Sequence, residues 1–466
     1  MDDHTAPGGS MRRPDEGTLA RIAEALAFTP TAAYSAPHDY PHAANTFEPA
    51  PRLARERVDA DVYRLYAHVP FCNYACSFCC YAKKVGVERE QMARYVATLK
   101  RELEWIPEGT PVNQFFIGGG TPTALPADLL DELLGAIAGR MPYHGDPVHT
   151  VEASPESISD AHLAVLQRHG VRRVSMGVQS LDDEVLDSVR RSHGPDLALE
   201  TCRRIIDAGL ILNIDLIYGL PGQTHAGFRR DFQRVADAGV HAVTAYNLRL
   251  NERTPVSRAL SPGERFDIAG LMGWRAFVRD TAAEFGFSQT RWHTFKRLDT
   301  IAARHQWLPT AGADMRGHQF GIGMSARSSL GHNVYRNHHN LETYMARVRD
   351  GESPVQEVIR LGPQDLRTQF IARSLGDGQV LSKARYAEVF GNAIEADHGE
   401  TLARLAAGGL LADTESSVSL TEDGRLLHDL VTLSFYPGPA RQRLLQRLDT
   451  FQLTDLSDRR PRPALQ

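Results

Sequence analysis

The sequence predicts an α/β fold: an incomplete β/α barrel of six units, then a mostly helical, winged-helix-like C-terminal domain. Three observations carry that prediction. From about residue 61 to residue 250, short apolar β-prone runs alternate with helical patterns, as parallel strands joined by crossover helices require. The residues suited to chemistry stand at the C-terminal ends of those runs, where barrel chemistry sits. Beyond residue 360 the strand pattern gives way to helices and one short hairpin.

Residues 1–50 read as an N-terminal extension. Residues 1–15 are rich in Gly, Pro, Ser and charge, which predicts disorder. Met11 follows Gly-Gly-Ser and is a second candidate start. Residues 14–26 predict a short helix, and 29–51 a segment packed against the main domain. The barrel is placed at 51–260, with strands at 63–69, 114–117, 148–152, 173–178, 212–217 and 242–248. Between them, 90–105, 127–138, 160–168, 197–208 and 224–238 have helical periodicity. Residues 261–355 read as a barrel extension. A turn-rich connection at 255–263 leads to a helix at 266–285, a strand at 288–293 and an irregular stretch at 294–316 holding His305, Trp307 and Arg316. The C-terminal domain is placed at 356–450, with helices at 365–374, 382–390 and 394–406, a hairpin at 410–420 and a last helix at 421–435. A tail at 451–466 follows, disordered from 457.

A chain of 466 residues buries enough surface for two or more domains. Winged-helix modules often bind DNA. A formal charge of −5 and the lack of a basic recognition helix argue against nucleic acid and against an anionic membrane surface. No apolar stretch has the length to span a bilayer, and the N-terminus lacks a signal-peptide core. Clustered cysteines without a disulfide pattern fit a reducing cytoplasm. A cytoplasmic monomer is the expectation. Cys202 lies in a helical pattern and reads as a small core hydrophobe.

Four of the five cysteines fall between positions 72 and 80. Cys72, Cys76 and Cys79 have C-x3-C-x2-C spacing. Thiolates are soft ligands for iron–sulfur clusters or zinc. Three of them hold three irons of a cubane and leave the fourth iron open, as a catalytic site needs. A zinc knuckle would take Cys80 as its fourth ligand. The adjacency of Cys79 and Cys80 makes that awkward, and no second C-x2-C pair follows.

Residues 66–78 resemble the signature of the radical S-adenosylmethionine (radical SAM) superfamily. The run His68-Val69-Pro70-Phe71-Cys72 is similar to the branch related to oxygen-independent coproporphyrinogen III dehydrogenase. Further matches follow in order: Gly118-Gly119-Gly120-Thr121-Pro122, Glu152-Ala153-Ser154-Pro155, Gly177-Val178-Gln179-Ser180, the run from Asp215 to Thr224, and the run from Gly321 to Ala326. Together they span about 60–435. The resemblance implies a partial (β/α)6 radical SAM barrel whose C-terminal domain covers the active site. It implies a catalytic [4Fe–4S] cluster on Cys72, Cys76 and Cys79. It also implies an S-adenosylmethionine on the open iron, and an electron donor such as flavodoxin or ferredoxin.

It further implies cofactor contacts at Tyr66, Phe78, Gly119, Gly120, Thr121, Glu152, Gln179, Arg191 and Asp215. Each has a plainer reading. The glycines let a backbone approach a ligand, or they make a tight turn. Glu152 and Asp215 accept hydrogen bonds from ribose or ammonium, or they are helix caps or surface charges. Arg191 grips a carboxylate bidentately, or it is a solvated charge. Tyr66 touches the cofactor or packs on the barrel wall. Phe71 and Phe78 shield the cluster. His68 reaches the cluster site or is structural. Ala245, Gly321 and Ile322 match a second S-adenosylmethionine site, with Gly321–Ala326 beside the strand carrying Ala245. The alternative there is a tight turn under the C-terminal domain. The branch pattern C-x3-C-x2-C-x-C has its last cysteine where this chain has Tyr81, so no role of that cysteine carries over to Cys80.

Three functions follow. The first is C1 transfer, in which a second S-adenosylmethionine methylates or cyclopropanates an sp2 carbon of an unsaturated small molecule. The second is oxidative decarboxylation of coproporphyrinogen III. The third is a heme-binding chaperone, whose His-Asn-x-x-Tyr-Trp motif Arg304-His305-Gln306-Trp307 matches poorly. The first is preferred.

Overall fold

In the computed structural model, residues 14–30, 32, 47–50, 52, 55, 63–250, 254–261, 265–300 and 318–453 are described, with backbone alone for 446–453. The six expected strands form: β1 (Tyr63–Val69), β2 (Val112–Gly119), β3 (His149–Ala153), β4 (Val171–Gln179), β5 (Ile211–Tyr218) and β6 (Ala242–Asn247). Each pairs in parallel with the next. The crossover helices are Arg89–Leu103, Ala127–Arg140, Asp160–Arg168, Pro195–Asp207 and His225–Asp237. Local chemistry starts several of them. Ser159 and His162 close a capping box, Thr224 accepts from the Gly227 amide, and Pro195 sits in a first turn where its missing N–H costs nothing. One face of every strand is buried against these helices, with Leu65, Ile117, Val174 and Ile214 in the same core as Leu99 and Leu134.

The sheet is larger than expected, with 13 strands among the described residues. A further parallel strand, Gln319–Ile322, pairs with β1, and Gly321 lies opposite Tyr66. Gly321 therefore does not lie beside the strand carrying Ala245, which is β6 at the other edge of the parallel set. Its hydrophobic run is short and interrupted by glycine, so periodicity hides it. Antiparallel strands Arg327–Leu330, Asn333–Asn337 and Val355–Arg360 continue that edge, and Glu48–Pro49 closes it. The buried Glu102 carboxylate pins the turn after Ile322. It accepts from the Gly323 amide at 2.8 Å, from Asn337 Nδ2 at 2.8 Å and from the Tyr344 hydroxyl, and it pairs with Arg55.

Three other elements differ from expectation. Residues 255–261 are not a plain connection: Pro255 starts a short helix, Pro255–Ala259. The strand expected at 288–293 is a hairpin, Ser288–Gln289 against Thr294–Lys296, whose second arm pairs with β6. The last helix breaks at Leu427 into Glu422–Leu426 and His428–Leu433; there the Leu426 carbonyl accepts from Arg275 at 2.6 Å and the Leu430 amide donates to Asp429 Oδ1 at 3.1 Å. A further helix, Gly438–Leu453, follows.

The C-terminal helices Pro363–Leu375, Lys383–Phe390 and Ile394–Ala407 pack with strands Leu381–Ser382, Leu411–Asp413 and Ser417–Leu420, giving the expected helices and wing. Helix Glu16–Leu26 joins this second core through Ile22 and Leu26. Among the described residues, no helix is long and apolar enough to cross a membrane. The disorder expected at 1–13 and 457–466, the alternative start at Met11, and the roles of His305, Trp307 and Arg316 all fall outside the described residues.

Candidate active site at the mouth of the barrel

Strand alternation divides the parallel sheet into a packed face and an open one. Tyr66, Phe116, Glu152, Gly177 and Asp215 are half-exposed and Tyr246 exposed, while their neighbours Ala67, Ile117, Val151, Leu216 and Ala245 are buried against the helices. Register brings the open-face residues side by side, with Tyr66 opposite Phe116 and Gly177 opposite Asp215.

The cysteine loop leaves β1 directly above this face. Phe71–Cys72 pairs with Lys84–Val85 and closes the loop. Its middle is anchored by Ser77, whose amide donates to the Val189 carbonyl at 3.1 Å, and whose own carbonyl accepts from the Val256 amide at 3.1 Å. Phe78 packs into a small cluster with Val185, Val189, Ile217 and Leu248. Cys72, Cys76 and Cys79 are half-buried free thiols, and Cys80 is exposed. Two of the three thiols have a donor from elsewhere in the fold: Thr121 Oγ1 lies 3.8 Å from Cys72 Sγ, and Arg191 Nη1 lies 3.5 Å from Cys76 Sγ. Lys83 Nζ donates to the Cys79 carbonyl at 2.7 Å. Burial pushes the Cys72 thiol up to about 11, so a metal must displace its proton.

This donor set fits a [4Fe–4S] cluster. Soft sulfur ligands are supplied with hydrogen-bond donors and positive charge that steady thiolates. Among the described residues, no three His, Cys, Asp or Glu side chains converge as a single zinc ion requires. A cubane instead takes one thiolate per iron.

The glycine run answers first to the protein's own packing. A Cβ on Gly118 would lie 2.7 Å from Glu152 Oε2, one on Gly119 2.8 Å from the His68 ring, and one on Gly120 2.6 Å from the Phe71 carbonyl. Gly119 also holds φ +123, open only to glycine. The cluster loop rests on this run: the Gly120 amide donates to Val69 at 2.8 Å and the Thr121 amide to Phe71 at 2.7 Å.

Glu152 and Asp215 share the open face as a carboxylate pair. Burial, then the neighbouring Asp215, pushes Glu152 up to about 7. Burial pushes Asp215 up to about 6, against the pull of Arg173 and of hydrogen bonds from Asn213 (2.8 Å) and Ser175. Two acids that hold protons this readily are poised to receive a cationic ligand. Gln179 has φ +73 just past a β-bulge after Gly177, a strained placement that re-aims its side chain. Arg191 is not a solvated charge. It donates to the Gly177 carbonyl and to Cys76, with its guanidinium 5.4 Å from the centre of the Tyr74 ring.

The structure thus gathers Tyr66, Gly119, Gly120, Thr121, Glu152, Gln179, Arg191 and Asp215 around the cysteine loop. Ala245 stands apart from Gly321 and Ile322, at opposite edges of the parallel set, with Gly321 next to Tyr66. Ala245 faces the packed side, and Gly321 and Ile322 are buried on the strand beyond β1. Sequence reasoning missed the cations of the barrel interior, Arg173 and Lys296. Burial, with Arg173 and Arg291 nearby, lowers Lys296 to about 8. Arg173 stands two residues before Ser175, so period-two alternation already placed it inward.

Comparisons with known proteins bear on the family and the fold. Residues 66–235 match the family model described as Radical SAM superfamily. The chain is 30% identical over 396 residues to the oxygen-independent coproporphyrinogen III oxidase of Cereibacter sphaeroides, covering 80% of this chain and 86% of that one. It is 29% identical to the heme chaperone HemW of Mycobacterium tuberculosis, covering 79% and 93%. Coproporphyrinogen III oxidase (HemN) from Escherichia coli, a radical SAM enzyme, superposes with a TM-score of 0.70 at 25% identity, covering 80% and 89%.

Proposed function

The chain belongs to the radical SAM superfamily, in the branch holding the oxygen-independent coproporphyrinogen III oxidases and the heme chaperone HemW, and on that premise we propose that it reductively cleaves S-adenosylmethionine and takes hydrogen from a small unsaturated molecule on the open face of the barrel. Arg191 is the observation that carries this reading. Its guanidinium reaches Cys76 Sγ on one side and the Gly177 carbonyl on the other, so cysteine loop and strand ends form one site.

When bound, the cluster and S-adenosylmethionine supply a 5′-deoxyadenosyl radical that abstracts hydrogen from carbon. Cys72, Cys76 and Cys79 would hold three irons. Glu152 and Asp215 present acceptors to the ammonium and ribose hydroxyls, and their negative charge suits a sulfonium ligand. Phe71, fully buried, and Phe78 keep water from the loop's inner side. Electrons would arrive from a flavodoxin or ferredoxin at the exposed side of the loop.

The finer reading is C1 transfer, with a second S-adenosylmethionine as carbon source for methylation or cyclopropanation. It is supported by Cys80-Tyr81, which depart from the decarboxylase cysteine pattern. A second reading, oxidative decarboxylation of a carboxylated substrate, is supported by the named relatives and by Arg173 and Lys296 inside the barrel. One experiment separates them. The cluster is reconstituted anaerobically, S-adenosylmethionine with a deuterated methyl group is added with reductant, and the 5′-deoxyadenosine is weighed by mass spectrometry. Deuterium in that product, with S-adenosylhomocysteine, supports C1 transfer. Unlabelled product refutes it and calls for the assay with coproporphyrinogen III. No 5′-deoxyadenosine at all refutes the radical reading itself.

A further inference from the structure

His68 stands between the barrel wall and the cysteine loop with both ring nitrogens engaged. Nδ1 lies 3.0 Å from the Tyr66 phenol oxygen and Nε2 lies 3.1 Å from the Ala82 carbonyl. The residue is 5% exposed. Burial pushes its pKa down to about 4, so the ring is neutral near pH 7. A carbonyl oxygen only accepts, so Nε2 carries the ring hydrogen. Nδ1 is then an acceptor, and the Tyr66 hydroxyl is the donor that faces it.

The ring is also clamped. Gly119 packs against Cε1 and Nδ1 so closely that a Cβ would lie 2.8 Å from each. Behind it, the His68 carbonyl accepts from the Tyr95 hydroxyl at 2.7 Å, and the Tyr95 phenol oxygen in turn accepts from the Met324 amide at 3.0 Å. Tyr66 therefore has its only hydrogen committed inward, and its oxygen turns lone pairs alone toward the half-open face it shares with Glu152.

We propose that His68 is a positioning residue: it locks the Tyr66 phenol as a hydrogen-bond acceptor for the amino or ribose donors of S-adenosylmethionine, and through Ala82 it holds the cysteine loop in register with that acceptor. This rests on the S-adenosylmethionine reading above. It gives Gly119 a further reason to bear no side chain, beside its φ of +123 and the nearby Val69 carbonyl, since a Cβ would crowd the imidazole. It also explains why a neutral histidine, rather than a cation, stands beside a site for a cationic ligand.

Two measurements on the full chain with reconstituted cluster test it. The first needs no ligand. In the spectrum of 15N-histidine-labelled protein at neutral pH, His68 should show a protonated Nε2 and a bare Nδ1. Those signals are identified by their loss in His68→Gln, and Tyr66→Phe should move the Nδ1 signal alone. A protonated Nδ1, or an unmoved signal in Tyr66→Phe, overturns the proposal. The second is S-adenosylmethionine affinity by equilibrium dialysis. Tyr66→Phe and His68→Gln should each weaken binding about tenfold, and the double variant should be no weaker than either single one. Losses that multiply would mean His68 does not act through Tyr66. His68→Asn, whose amide oxygen reaches the Nδ1 position, should recover affinity, and it replaces His68→Gln if that variant does not fold. Wild-type protein with an intact cluster spectrum that binds no S-adenosylmethionine overturns the functional reading and the ligand given to Tyr66, while the 15N spectrum still decides the Tyr66–His68 bond.

Discussion

Arg275 and Asp429 close a bidentate ion pair between the long helix that follows the barrel, Ile268–Glu284, and the C-terminal domain. Nη1 lies 3.0 Å from Oδ1 and Nη2 lies 2.6 Å from Oδ2, with both side chains almost wholly buried. Breaking one side leaves an uncompensated buried charge. Asp429→Ala should lower stability by ~3–5 kcal/mol. The paired replacement Arg275→Met with Asp429→Leu should recover most of that loss. Urea titration of the three variants checks it, and a double replacement as unstable as the single one would contradict it.

The Glu152–Asp215 pair predicts an unusual pH dependence. Both carboxyls are raised on folding, to about 7 and about 6, so the native state holds their protons more tightly than the unfolded chain does. Their contribution is full below the ordinary carboxylate range and is lost as pH rises through about 6 to 7. Glu152→Gln should therefore stabilise the ligand-free protein above pH 7 by ~1–3 kcal/mol, with little difference near pH 5. The same variant should bind S-adenosylmethionine more weakly. Urea titrations near both pH values read the first effect; a variant less stable than wild type above pH 7 would show that burial strain is absent.

Cys72→Ala, Cys76→Ala and Cys79→Ala should each abolish the four-iron absorption of the reconstituted protein, because three thiolates hold the cluster. Cys80→Ala should retain it, as the Cys80 side chain is exposed rather than seated with the other three. Iron and sulfide content per chain is the measurement. Loss of iron in Cys80→Ala would return Cys80 to the ligand set.

How far the sequence reaches depends on whether a feature is periodic. The six barrel strands and their helices were legible because each buries one regular face; β1 has the predicted bounds. The cysteines and the two carboxylates were legible as motifs placed at strand ends, and Arg191 only through the family resemblance. What was not legible is what depends on partners distant in sequence. Gln319–Ile322 finds its place by pairing with β1 and with Arg327–Leu330, and the helix breaks at Leu427 where Arg275 donates to the preceding carbonyl. Gly119 reads as a ligand-approach glycine in sequence, yet the nearest obstacle to a side chain there is His68. His68 itself gave no sign that its two nitrogens tie Tyr66 to Ala82.

Gly321 tests whether a glycine motif serves the fold or a ligand. A Cβ there would overlap the carbonyl oxygen and carbon of Arg327 across the antiparallel pair. Backbone cannot rotate aside as a side chain can, so Gly321→Ala must open the strand pair or shift β1, against which Gly321 lies opposite Tyr66. Overpacking of this kind costs ~1–3 kcal/mol, and backbone contact puts it at the upper end. Gly86 is the control: it has φ +68 and open space around it, so Gly86→Ala carries only backbone strain. A Gly321→Ala protein that remains folded should bind the same number of S-adenosylmethionine molecules as wild type by isothermal titration if Gly321 serves packing alone. A drop from two molecules to one, at unchanged stability, would instead place a second cofactor against this strand and strengthen the case for C1 transfer.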